Sequence, residues 1–193
     1  MAQLSLQQAE ALNSSPVFAP ALRPLKARAY LLALALAGVV LTTAVLWPGD
    51  GILKTSAPNS VFVLLDGSSR SSADFKGRVT LVNFWATSCG SCVAEMPKIA
   101  ATYKAFHARG FDTIAVAMYY DPPSAVVHFT QTRGLPFQVA IDNTGQVARQ
   151  WGDVAVTPTS FLVDQRGLII KRYVGEPDFA ELNQLIERLL PGA

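Results

Sequence analysis

The chain has 193 residues, half of them hydrophobic and 16% charged, with a formal net charge of +2. So small an excess, with no block of like charges, excludes a nucleic-acid-binding polycation, and the composition is that of a folded protein. The mean hydropathy of +0.27 is high for a soluble domain, and most of it has one visible source.

Residues 1–28 are polar and Ala-rich and are expected to form a poorly ordered cytoplasmic tail. Residues 29–47, AYLLALALAGVVLTTAVLW, carry no charge. As a helix they span roughly 28 Å, close to the hydrocarbon thickness of a bilayer. Arg23, Lys26 and Arg28 precede the run and Trp47 ends it, which predicts a cytoplasmic N-terminus and a C-terminal part on the far side of the membrane. The rival is a cleaved signal peptide, with Thr42-Thr43-Ala44 as a passable cleavage site. The length of the run and of the segment before it favour a retained anchor. Residues 48–57, with Gly, Pro and Ser, read as a linker, and 58–193 as a single domain.

Within that domain strands alternate with helices. Ser60–Leu65 is a predicted strand ending at the turn pair Asp66-Gly67, and Arg78–Trp85 has the β-branched and aromatic content of a central strand. The segment from Cys92 to Arg109 has helical spacing and stops at Gly110; Phe111–Tyr119 is a second buried strand. Pro122-Pro123 opens a helix that Gly134 closes. A strand at Phe137–Ile141, a short helix at Thr144–Trp151 and a hairpin of Ser160–Val163 with Leu168–Tyr173 follow. The last helix starts at Pro177-Asp178, with Phe179, Leu182, Leu185, Ile186 and Leu189 on one face. The order predicts an α/β layered domain whose sheet is covered on both faces.

The chain's only cysteines, Cys89 and Cys92, stand in Trp85-Ala86-Thr87-Ser88-Cys89-Gly90-Ser91-Cys92. A structural zinc site generally takes four ligands, and the two histidines, His107 and His128, lie on predicted helices remote in sequence. Val93 after Cys92 rules out c-type haem attachment. Two soft thiolates suit Cu(I), so a copper-binding module stays open. A purely structural disulfide closing so short a loop gains little entropy. A cycling dithiol fits better: Cys89 falls at a helix N-terminus, where unpaired N–H groups and the helix dipole stabilise a thiolate, and Cys92 lies one turn inside. No metal or cofactor beyond the redox-active disulfide is expected.

LVNFWATSCGSCVAEMP, with TPTSFLVD downstream, resembles the thioredoxin fold and more closely the TlpA/ResA group of membrane-anchored thiol–disulfide oxidoreductases. The resemblance covers about residues 58–190 and implies a central mixed β-sheet with helices on both faces, an N-terminal β extension and a helix–strand insertion. It makes Cys89 the attacking and Cys92 the resolving cysteine, and matches Pro158, after Thr157, to the family's cis-proline. Pro97 falls where the family's active-site helix is kinked. It further implies a periplasmic domain on a single-pass inner-membrane anchor, a DsbD-type membrane electron donor, and protein-disulfide substrates such as apocytochrome c or copper-site cysteines. A disulfide-forming oxidase would use the same residues. A peroxidase of the related peroxiredoxin group expects other residues where Ala86 and Val82 stand.

Three departures from the family pattern stand out. Asn83 replaces the usual strand aspartate, and Glu95, one turn beyond Cys92, has a counterpart in ResA-like proteins as a candidate proton acceptor for Cys92; the alternative is a surface glutamate that merely favours the helix dipole. Ser88 stands where the family commonly has tryptophan, and Gly90-Ser91 lacks proline. Trp85 is retained and is expected both to pack against the dithiol and to fill the core.

Overall fold

The computed structural model describes residues 55–192. The expected tail, the apolar run 29–47 and residues 48–54 of the linker lie outside the described residues. Among the described residues no helix is long and apolar enough to cross a membrane.

Along the described residues eight strands and four α-helices follow one another as β1 (Thr55–Ser56), β2 (Val61–Val63), β3 (Ser69–Ser71), β4 (Val79–Trp85), α1 (Gly90–Phe106), β5 (Phe111–Ala117), α2 (Pro123–Arg133), β6 (Gln138–Ile141), α3 (Gln146–Gln150), β7 (Thr159–Val163), β8 (Leu168–Val174) and α4 (Phe179–Leu189). Short 3₁₀ turns cover Ser72–Phe75 and His107–Arg109. Six strands form one sheet in the order β1-β8-β7-β4-β5-β6, and β2 and β3 form a separate hairpin. β4, β5 and β6 run parallel, while β7 is antiparallel to β4 and β8 to β7.

β4 and β5 are buried along their whole length, as parallel strands covered on both sides must be. The period of two divides β4 between two cores. Val79, Leu81 and Trp85 join Met96 and Ile99 of α1 and Leu182 and Ile186 of α4 on one face. Val82 and Phe84 join Phe62, Phe75, Trp151 and Phe161 on the other. Strand alternation therefore turns Asn83 toward α1, where a polar side chain has to find partners.

The ends of the elements follow from local chemistry. Gly110 (φ 104°) takes the left-handed conformation that ends the α1 segment and turns the chain into β5. The Asp178 carboxylate accepts the N–H groups of Ala180 and Glu181 to start α4. The α1 helix runs on through Pro97.

Two elements depart from expectation. The linker ends sooner than predicted, because Thr55 and Ser56 pair antiparallel with Ile169 and Leu168 on the outer edge of β8. The strand expected from Ser60 is half of a hairpin whose polar partner, Ser69–Ser71, carries no hydrophobic signal. That hairpin flanks the opposite edge: Leu64 forms an antiparallel bridge with Ala140, and Leu65 N–H donates to Val139 C=O. Arg70 fixes it by an ion pair to Asp112 of β5 at 2.8 Å and a hydrogen bond to Gln138 at 2.7 Å.

Candidate active site

Cys89 is the N-cap of α1, in extended conformation (φ −92°, ψ 106°). It is joined to Cys92 in a disulfide with a Cα–Cα separation of 5.2 Å. The two sulfurs are set unequally. Cys92 is fully buried, whereas Cys89 is partly exposed between exposed Ser88, Gly90 and Ser91. The Cys92 N–H points at the Cys89 sulfur at 3.2 Å, and the Ser91 hydroxyl lies 3.4 Å from it. Both are donors a thiolate would use, at the positive end of a helix of 17 residues.

The Thr157–Pro158 peptide is cis, as the family resemblance implies. Pro158 is buried, and the Thr157 carbonyl oxygen lies 3.6 Å from the Cys89 sulfur. The strand-end loop and the helix end therefore meet at the exposed sulfur. Trp85 is buried in the core that contains Cys92 and packs on Phe129 with ring centroids 5.2 Å apart.

Glu95 is completely buried, so the surface reading of this residue does not hold. Its Oε1 accepts a hydrogen bond from the Asn83 side-chain amide at 2.8 Å, and the same amide donates to Ser160 Oγ at 2.9 Å. Ser160 stands directly opposite Asn83 in the β4–β7 register. Glu95 Oε2 has no protein partner. Burial pushes the carboxyl up to about 7, against the Asn83 hydrogen bond, which favours the ionised form; the nearby Glu176 carboxylate adds to the rise and Lys98 opposes it. A carboxyl that changes charge near neutrality thus sits one helical turn from the buried sulfur.

Asp121, which no motif singled out, is also buried. Its carboxylate accepts the Thr87 N–H at 2.6 Å and the Thr87 hydroxyl at 2.5 Å, pinning the loop that leads to Cys89. His107 stacks on Tyr103 at the end of α1, and His128 is exposed on α2. Among the described residues no group of three or more His, Cys, Asp or Glu side chains is placed to hold a metal ion.

The fold recurs in known proteins. The Redoxin family profile matches residues 53–186. Thiol-disulfide oxidoreductase ResA of Bacillus thuringiensis is 34% identical over 135 residues, covering 70% of this chain and 77% of the relative. A thioredoxin-type protein of Neisseria meningitidis superposes with a TM-score of 0.65 at 42% identity, covering 70% of this chain and 90% of that one. A protein of Chlorobium tepidum described as thiol:disulfide interchange protein DsbE does so at 0.65 and 30% identity, covering 70% and 96%. The chain therefore belongs to the Redoxin family, as a thioredoxin-like thiol–disulfide oxidoreductase of the ResA/DsbE type whose cysteine pair is Cys89–Cys92.

Proposed function

We propose that this protein reduces disulfides of other proteins, with Cys89 as the attacking and Cys92 as the resolving residue. The observation that carries the exchange chemistry and the two cysteine roles is the unequal setting of the sulfurs: one reachable at a helix N-cap, the other buried one helical turn from a carboxyl that titrates near neutrality. In the reduced protein the Cys89 thiolate attacks a substrate disulfide. The Cys89–substrate S–S bond forms, the substrate's own S–S bond breaks, and the departing thiolate takes a proton from water. Cys92 then yields its proton to the ionised Glu95 carboxylate, and its sulfur attacks the Cys89 sulfur. The mixed disulfide breaks, the second substrate thiolate leaves, and the Cys89–Cys92 disulfide remains. Two electrons have passed to the substrate, and a DsbD-type membrane dithiol reductant returns them.

The charge pattern around residues 29–47 supports a retained anchor with the domain on the periplasmic side of a bacterial inner membrane. An oxidising compartment is where a dithiol reductase has protein substrates to act on. Candidates are the haem-binding cysteines of apocytochrome c and the cysteines of a copper-receiving site.

The test is a Cys92→Ser trap in the native membrane. Without its resolving thiol, Cys89 accumulates mixed disulfides that dithiothreitol releases, and their partners are the substrates. Absence of adducts in cells rich in the protein overturns the reading. A mature N-terminus near residue 45 would overturn the anchor alone.

A further inference from the structure

The turn that leaves β5, Met118–Asp121, is bonded to both segments that frame the exposed sulfur. Met118 N–H donates to the Trp85 carbonyl at 3.0 Å, and Asp121 holds Thr87 as described above. On the other side the Tyr120 hydroxyl lies 3.3 Å from Thr157 Oγ1. A turn tied so closely normally turns its large side chains inward. Here Tyr119 and Tyr120 are 60% and 48% exposed, edge to face with centroids 5.4 Å apart.

They are not alone. Val156 precedes Thr157, and Val174 pairs with Thr159 at the end of β8, next to Gly175, whose N–H donates to Pro158 C=O. Both valines are more than half exposed. Of the six large apolar side chains that the described residues leave exposed, four thus gather around the Thr157–Pro158 peptide. Exposed apolar surface that clusters at one place, rich in tyrosine, is the composition of a protein-docking surface.

Behind the tyrosines a cleft of about 350 Å³ runs between Tyr119, Tyr120, Ala148, Val154 and Ala155. Gly145 lets Tyr119 close its floor: a Cβ there would stand 3.2 Å from the Tyr119 ring and 3.0 Å from the Arg149 guanidinium. The cleft's two charged groups, Arg149 and Asp153, have opposite signs and select no net charge. Two tyrosine rings and a guanidinium offer edge-to-face and cation–π contacts, which an aromatic guest uses and an aliphatic one does not.

We propose that this cleft is a specificity subsite: it receives an aromatic side chain of the substrate polypeptide, one to three residues from the cysteine under attack. Thr157 touches both the Cys89 sulfur and Tyr120, so an extended substrate rising about 3.3 Å per residue spans that gap within three residues. The proposal rests on the exchange reading above and adds the class of substrate that the site prefers.

The test uses the full-length protein, purified and reduced, with disulfide-linked dimers of short glycine-rich peptides. One position within three of the cysteine, on either side, is Phe, Ala, Asp or Lys, and bis(2-hydroxyethyl) disulfide serves as a probe with no side chain to dock. At one position or more, Phe raises kcat/KM about tenfold over Ala. Tyr119→Ala brings that ratio close to one, and Tyr119→Leu, which keeps bulk without the ring, leaves only a small part of it. A Phe peptide no faster than Ala at every position overturns the subsite, as does a preference for Asp or Lys, or a ratio that survives Tyr119→Ala. If neither the peptides nor bis(2-hydroxyethyl) disulfide is reduced, the exchange reading fails and takes the subsite with it. Equal reduction of all of them sinks the subsite alone.

Discussion

Replacing Glu95 by Gln isolates the cost of a buried acid. The substitution keeps an acceptor for the Asn83 amide, which now donates to Glu95 Oε1 at 2.8 Å, and removes the titration. In the folded oxidised protein the carboxyl is raised from 4.5 to about 7, chiefly by burial. Below pH 4.5 the folded and unfolded chains both hold the proton, and the full stability is present. Between 4.5 and 7 the unfolded chain gives it up while the folded chain retains it, so wild-type stability falls as pH rises. Above 7 both forms are ionised and the loss is complete, at about 3 kcal/mol. The Glu95→Gln variant escapes it. Urea unfolding of the oxidised proteins from pH 4 to 9 should show the variant's advantage growing by about 3 kcal/mol, or about 1.5 M in midpoint for a domain of this size. Comparing the two proteins at each pH cancels the titration of every group not coupled to Glu95. A gap that stays constant to within about 0.5 kcal/mol between pH 4.5 and 8.5 refutes the buried, proton-holding carboxyl.

Asn83→Asp puts a second carboxyl where the amide now donates; the pair shares one proton, and unfolding experiments should show a loss of about 3 kcal/mol at pH 8 that is much smaller at pH 5. Asp121→Ala leaves the Thr87 N–H and hydroxyl without their acceptor and should cost about 2 kcal/mol in thermal or urea unfolding. Trp151→Ala empties the aromatic cluster with Phe62, Phe84 and Phe161 and frees the Ser60 hydroxyl from the indole N–H; a loss of about 4 kcal/mol is expected from the same measurements.

The strands and helices that carry the sulfurs were legible because their signals are local. Val79–Trp85 and Phe111–Ala117 are hydrophobic runs bounded by Gly77, Gly110 and Pro122, and the segment from Cys92 to Arg109 has helical spacing that stops at Gly110. β1 and β3 were not legible. Thr55–Ser56 is two polar residues, and Ser69-Arg70-Ser71 is held by Arg70 reaching Asp112, a partner 42 positions away in sequence. Sequence reasoning left the burial of Glu95 open between two readings for a similar reason. Helical spacing places it on the face of Cys92 but does not say what covers that face. The missing information was the phase of β4, which turns Asn83 toward α1, and its register with β7, which sets Ser160 opposite. Asp121 and the tyrosines before it offered no motif; their role comes from where the turn after β5 lands.

Sheet edges with bare flanks invite other chains to zip onto them. Here the two short pieces that precede the redox strand stand along the sheet's opposite margins, one on β8 and the other on β6. A protein whose business is with foreign polypeptides is thereby partly guarded against hosting them in the wrong place: the Leu168–Ile169 end of β8 and the Val139–Ala140 stretch of β6 are already taken. Trimming the chain back past Ser56 would strip one guard, and clumping through β8 would be the first sign.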